Sequence, residues 1–189
     1  EIDEFLANGG KALIMLDPVT VDTTRLRANS NEFSMADYVD QYGVKLTPEL
    51  VFDVRSNEVL TFAARFGNVN LPYPYWVRVT SAENQVSGGV PGAVLPWAGN
   101  IELTGRTALG IQAEIAPLLV TSDAGALDDD YQDISPQSPR VTGVAEEEMA
   151  SRLVAVAVTG VRCPPYRPRC EPDQDKPFRM IVTADSDWI

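Results

Sequence analysis

The sequence predicts an α/β fold, a three-layer arrangement in which a mainly parallel sheet is flanked by helices. Three observations carry this expectation. Short, nearly uninterrupted apolar runs recur at Ala12 to Leu16, Leu118 to Thr121, Leu153 to Val158 and Met180 to Thr183; strands apolar on both faces are the mark of a sheet covered on both sides. Long connections separate the runs, as crossovers between parallel strands require. The first and last runs also end in acid, at Asp17 and at Asp185-Ser186-Asp187, which gives the sheet a polar rim.

Taken in order, the chain opens with Ile2, Phe5 and Leu6 at i, i+3, i+4 spacing, a short helix that stops at Asn8-Gly9. The strand from Lys11 to Leu16 follows and is expected in the middle of the sheet, ended by an Asp17-Pro18 turn. Val19 to Asn31 is a polar linker. Ser34 with Asp37 forms a capping-box pattern, and Met35, Tyr38, Val39 and Tyr42 make one apolar face, predicting a helix ended by Gly43 with an apolar contact from Val44. Tyr38 and Tyr42 are expected to be partly buried, and Asp37 and Asp40 to point outward. Leu50 to Asp53 is a short strand.

The middle is less regular. Val59 to Phe66 fits either a strand or a connection. Leu71 to Val79 starts extended at its prolines and then alternates Tyr75, Val77, Val79 against Trp76, Arg78, Thr80, the pattern of an edge strand. Ser87 to Pro96 is a glycine-rich loop, Ile101 to Leu103 a short strand, and Ala124 to Arg140 a solvated acidic loop. No internal repeat or boundary divides the chain, so residues 1–189 are expected to form a single domain.

Composition excludes several functions. The chain has 189 residues, 44% of them hydrophobic, enough for one sizeable core, and it carries 27 acidic against 15 basic residues for a net charge of −12. That balance argues against nucleic acid as a partner and against docking on anionic lipid. Only Lys11, Lys45 and Lys176 are lysines, a pattern shared by salt-adapted proteins and by ordinary acidic solubility. There are no histidines, which removes Ser-His-Asp and Cys-His nucleophilic machinery and the usual zinc sites. The chain begins at Glu1 rather than Met, so it is expected to be an excised piece of a larger protein.

If the strands are parallel, their carboxyl ends share one edge, and that edge collects Asp17, Asp53, Thr121, Ser122, Asp185, Ser186 and Asp187. Such an edge suits a polar or carbohydrate-like ligand, or a metal held by carboxylates. The same residue types also cap turns and helices. No metal and no cofactor is assigned: Asp128-Asp129-Asp130 lacks the alternation and glycine of a calcium loop, and Gly88-Gly89-Val90-Pro91-Gly92 lacks the lysine and hydroxyl of a phosphate loop. Cys163 and Cys170 bracket a proline-rich loop. Their spacing suits a disulfide formed in an oxidising compartment, with two free cytosolic thiols as the alternative.

Four blocks, in order, resemble a known family. They are Phe5 to Pro18; Tyr42-Gly43-Val44 with Val51-Phe52-Asp53; Leu71-Pro72-Tyr73-Pro74; and Arg179 to Trp188. Together they are similar to the GldG-like, gliding-motility-type auxiliary component of ABC transporters. The resemblance implies a flavodoxin-like or class I amidotransferase-like sheet. It implies a periplasmic domain tethered to the inner membrane by transmembrane helices outside this chain, working beside an ABC-2-type permease and its ATPase. It carries no catalytic motif, so a non-enzymatic role is expected, with a polar-ligand or carbohydrate-binding module and a carboxylate-dependent hydrolase as alternatives.

Overall fold

Strand, not alternating strand and helix, builds this chain. The computed structural model describes residues 1–31, 34–82, 92–163, 170 and 175–187, with Ser34 described by its backbone alone. The elements run α1 (Ile2–Ala7), β1 (Lys11–Met15), β2 (Val19–Asp22), β3 (Arg27–Ser30), α2 (Ser34–Asp40), β4 (Val44–Asp53), β5 (Asn57–Ala64), β6 (Gly67–Ser81), β7 (Ala93–Pro96), β8 (Gly99–Leu103), β9 (Ile111–Val120), β10 (Gly125–Asp128), α3 (Pro139–Thr142), β11 (Leu153–Arg162) and β12 (Phe178–Thr183). A 3₁₀ turn lies at Glu146–Glu148. Among the described residues, no helix is long and apolar enough to cross a membrane.

Seven strands form one large sheet in the order β1-β12-β11-β9-β6-β5, with β7 added on β6; β10-β4-β8 form a second sheet and β2-β3 a small hairpin. The four apolar runs are neighbours, as β1, β12, β11 and β9. Their direction is where the α/β expectation fails. Among the described strands, β1 and β12 are the one hydrogen-bonded pair that is parallel, Lys11 opposite Arg179 through Met15 opposite Thr183. β11 is antiparallel to both β12 and β9. The architecture is therefore mainly β, with mixed and antiparallel sheets, and not a helix-flanked parallel sheet.

The apolar runs have a different cause from parallel pairing. Val156 and Val158 pack with Leu6, Val39, Tyr42 and Phe178 in one core cluster, while Val154 and Ala155 pack with Val51, Val77, Val79 and Leu95 in another. Val154 to Val158 are all buried, so the strand is covered on both faces: the cluster around Val156 and Val158 draws on α1 and α2 and on Val44 and Ile101 of the second sheet, and the cluster around Val154 and Ala155 on Val51 of that sheet and on β6 and β7. A break in register at Ala155 accompanies the change of cluster. Burial on both faces demands apolar residues whatever the direction of the neighbours.

Other expectations are corrected in the same way. β1 is an edge strand, not a central one; Ile14 is buried, but Leu13 is 59% exposed. β6 is internal rather than an edge, because it pairs with β5, β7 and β9, although its inward alternation of Tyr75, Val77 and Val79 is as read. The linker after Pro18 is the β2-β3 hairpin, and the acidic loop contains β10 and α3. In α1 only Leu6 is buried, whereas Ile2 and Phe5 remain exposed.

The helix α2 keeps the expected face. Val39 and Tyr42 are fully buried, Tyr38 is half-buried, and Asp37 and Asp40 are exposed. Gly43 has φ +87°, and a side chain there would press on the Arg106 carbonyl at 3.0 Å. The cap from the Ser34 side chain lies outside the described residues, as do Gly88 to Pro91. Polar contacts tie both helices to β11: Arg162 donates to the Tyr42 hydroxyl at 2.8 Å and pairs with Asp3 at 2.7 Å, and Tyr38 donates to Asp3 at 2.9 Å.

Cys163 and Cys170 form a disulfide with Cα atoms 4.8 Å apart, both buried at the end of β11. Closing so short a ring stabilises the fold by roughly 2.5 kcal/mol through the unfolded chain's lost entropy. Reduction, or Cys163→Ser with Cys170→Ser, should lower the melting temperature by several degrees. A melting curve unchanged by reductant, with thiol titration proving the bond cut, would contradict this.

Candidate functional site

Parallel pairing of β1 and β12 delivers two acidic ends side by side. The Leu16 N–H donates to the Thr183 carbonyl at 3.1 Å, so Asp17 emerges next to Asp185 and Ser186. One Asp17 oxygen accepts the Ser186 N–H at 2.7 Å and the other accepts the Ser186 hydroxyl at 2.6 Å. Asp185, almost fully buried, accepts the Asp187 N–H at 2.6 Å, and its own carbonyl accepts the Thr183 hydroxyl at 2.6 Å. The oxygens of Asp17 and Asp185 thus accept from backbone and hydroxyl donors at the strand ends.

This end opens into a cleft of about 330 Å³, lined by Asp17, Thr20, Asn31, Trp97 and Asp187 among others. Asn31 donates from its side chain to the Asp17 carbonyl at 2.8 Å, which fixes the β2-β3 hairpin against the strand end. Trp97 adopts φ +56°, a left-handed conformation uncommon for a bulky residue. It is held there by its N–H on the Tyr75 carbonyl at 2.8 Å and by its indole N–H on the Tyr73 hydroxyl at 3.0 Å. The sequence reading missed Trp97, Asn31 and Thr20. Nothing in the local sequence marks Trp97, since its position depends on Tyr73 and Tyr75 across the sheet.

The other expected site residues gather elsewhere. Asp53, at the end of β4, is fully buried; one oxygen accepts the Arg55 N–H at 2.9 Å and the Ser56 N–H at 2.8 Å, and the other accepts the Ser122 N–H at 2.9 Å. The Thr121 hydroxyl accepts the Arg152 N–H at 2.8 Å, and the Ser122 hydroxyl accepts the Ala124 N–H at 3.1 Å. Asp53, Thr121 and Ser122 therefore organise turns at the end of β9. β11 and β12 both lie between β9 and β1, so Thr121 and Ser122 end three strands along the sheet from Asp17.

Asp128 corrects the reading of a uniformly solvated acidic loop. It is fully buried and accepts the Tyr75 hydroxyl at 2.5 Å and the Asp130 N–H at 2.9 Å. Burial pushes its pKa up, against the opposing effect of those bonds. Cys163, Cys170 and Asp175 also lie close together. The disulfide removes both thiolates, so this trio is not a metal-ligand set.

One family description covers the whole chain: the family model described as an ABC-type uncharacterized transport system matches residues 1–189. The chain belongs to this family of ABC transport auxiliary components. No curated protein and no solved structure matches it.

In this ABC transport auxiliary component the geometry at Asp185 makes a pH prediction. Burial pushes Asp185 up to about 7; the Asp187 N–H opposes this, and the charges of Asp17 and Asp187 add to it. An unfolded Asp titrates near 4. Between about pH 4 and 7 the folded chain therefore holds a proton that the unfolded chain has released. The stability this group contributes is full below about pH 4 and is lost as the pH rises to about 7, leaving a cost on the order of a few kcal/mol above that. Asp185→Asn keeps an oxygen for the Asp187 N–H and should raise the melting temperature at pH 8 far more than at pH 4. A difference between variant and parent that stays constant across that range would show that Asp185 is not the group responsible.

Proposed function

We propose that this auxiliary component is a non-enzymatic, extracytoplasmic domain of an ABC-type export or gliding-type system of the GldG-like kind. Its parent is held in the inner membrane by helices outside this chain and works beside an ABC-2-type permease and its ATPase, and the domain binds a partner protein or a polar ligand. The observation that carries this reading is the family match over the whole chain, and the resemblance of the four sequence blocks adds the finer subtype. The carboxylates support it: Asp17 and Asp53 are engaged by backbone and hydroxyl donors that serve the fold.

The Trp97 wall beside Asp17, Asn31 and Thr20 favours a polar, carbohydrate-like ligand as the second reading, because sugars present both apolar ring faces and hydroxyls. The test uses the intact parent protein expressed with its permease and ATPase. Co-purification of all three is expected, along with loss of transport when this domain is deleted while the complex still assembles. The purified chain should show no turnover of glycosidic, ester or phosphate substrates, with or without divalent metal. Turnover that disappears in Asp17→Asn or Asp185→Asn would overturn the non-enzymatic role in favour of a carboxylate-dependent hydrolase.

A further inference from the structure

The β5-β6 hairpin has an unusual composition for this chain. Between Val59 and Val77 the single charged residue is Arg65, in a protein of net charge −12. β5 is the terminal strand of the large sheet, and among the described residues its one strand partner is β6. Terminal strands are normally guarded against further pairing by lysines, prolines or bulges. β5 holds no lysine and no proline; its register with β6 shifts once, at its start between Asn57 and Glu58, and is unbroken from Glu58 to Ala64, the segment left open for pairing. Its one charge, Glu58, is already held by Arg78 through two bonds of 2.6 and 3.1 Å.

We propose that two copies of this chain pair through β5, antiparallel about a two-fold axis at Thr61, so that their large sheets become continuous. This goes beyond the transport reading and stands independently of it. Charge selects a second copy for this edge: two acidic molecules repel over most of their surfaces, whereas this hairpin brings no net negative charge to the contact. The pairing is also self-complementary, as an isologous interface must be. Opposed residues of an antiparallel pair share a face, and the Thr61 axis sets Leu60 against Phe62 on one face and Val59 against Ala63 on the other. Glu58 then faces Ala64, so no like charges meet.

Phe66, at 94% exposure the most exposed large apolar side chain described, lies in the turn just beyond Ala64. Each copy therefore brings an exposed Phe66 to one end of the paired segment, where it adds apolar contact.

Sedimentation velocity over a concentration series should show the unmodified chain passing from monomer to dimer. Thr61 and Phe66 are exposed, so variants there should keep the parent melting temperature. Thr61→Glu and Thr61→Lys should each be monomeric, because like charges meet at the axis, and an equimolar mixture should dimerise. Phe66→Ala should weaken association about tenfold or more. A monomer at the highest attainable concentration would overturn the proposal, including a monomer that instead binds anionic vesicles. So would Thr61→Glu dimers as tight as the parent, or a mixture that stays monomeric.

Discussion

Val39→Asp should prevent the chain from folding. Val39 is fully buried in the cluster that contains Leu6, Tyr42, Val44, Val156 and Phe178, so the substitution removes a packed aliphatic group and sets a carboxylate where no donor is in place. Truncation alone costs roughly 1–3 kcal/mol at such a site, and burying the unsolvated polar group adds several more. Domains are stable by only about 5–15 kcal/mol. Val39→Ala gives the truncation without the charge. The expected result is a folded but weakened Ala variant and an Asp variant that lacks a cooperative melt in near-ultraviolet circular dichroism. An Asp variant that melts like the parent would mean that α2 does not bury this face.

Asp53→Asn should destabilise the chain by about 3 kcal/mol although it changes one atom. The buried carboxylate accepts three backbone N–H groups, two on one oxygen and one on the other. Asparagine offers a single acceptor oxygen, so its amide N–H₂ must face either the Ser122 N–H or the pair from Arg55 and Ser56. A donor then meets a donor, and at least one buried N–H is left unbonded. For a chain of this size the loss corresponds to a fall of roughly 10 °C in melting temperature. Because Asp53 joins the β4-β5 turn to the end of β9, exchange of the Ser122 amide with deuterium should also accelerate. A smaller effect than that of Asp17→Asn, whose partner Ser186 is solvent-exposed, would place the structural tie at the cleft instead.

The comparison of Asp17 with Asp53 shows why the site was only partly legible. Both follow an apolar strand and both were expected on one edge. β9, β12 and β1 do run the same way, because β11 is antiparallel to β9 and β12 while β1 is parallel to β12, and this is why Thr121 and Asp185 end on the same side. Asp53 reaches that side from the second sheet. A strand's acidic end is visible in sequence, but whether its oxygens meet backbone N–H groups or open space depends on the turn that follows and on its neighbours.

The sequence by itself determined the positions of most strands, the buried face of α2 with its Gly43 stop, and the pairing partner within reach of each cysteine. These are local matters of apolar spacing, backbone conformation and short ring closure. Tertiary structure alone decided strand direction, the place of β1 at an edge, and the seat of Trp97 beside Asp17. The reason is that burial acts on side chains and is blind to backbone polarity: Val154 to Val158 would be equally apolar between parallel or antiparallel neighbours. Direction is set by how the connections route the chain, and here they build a second sheet over β11 where the apolar runs had suggested helices.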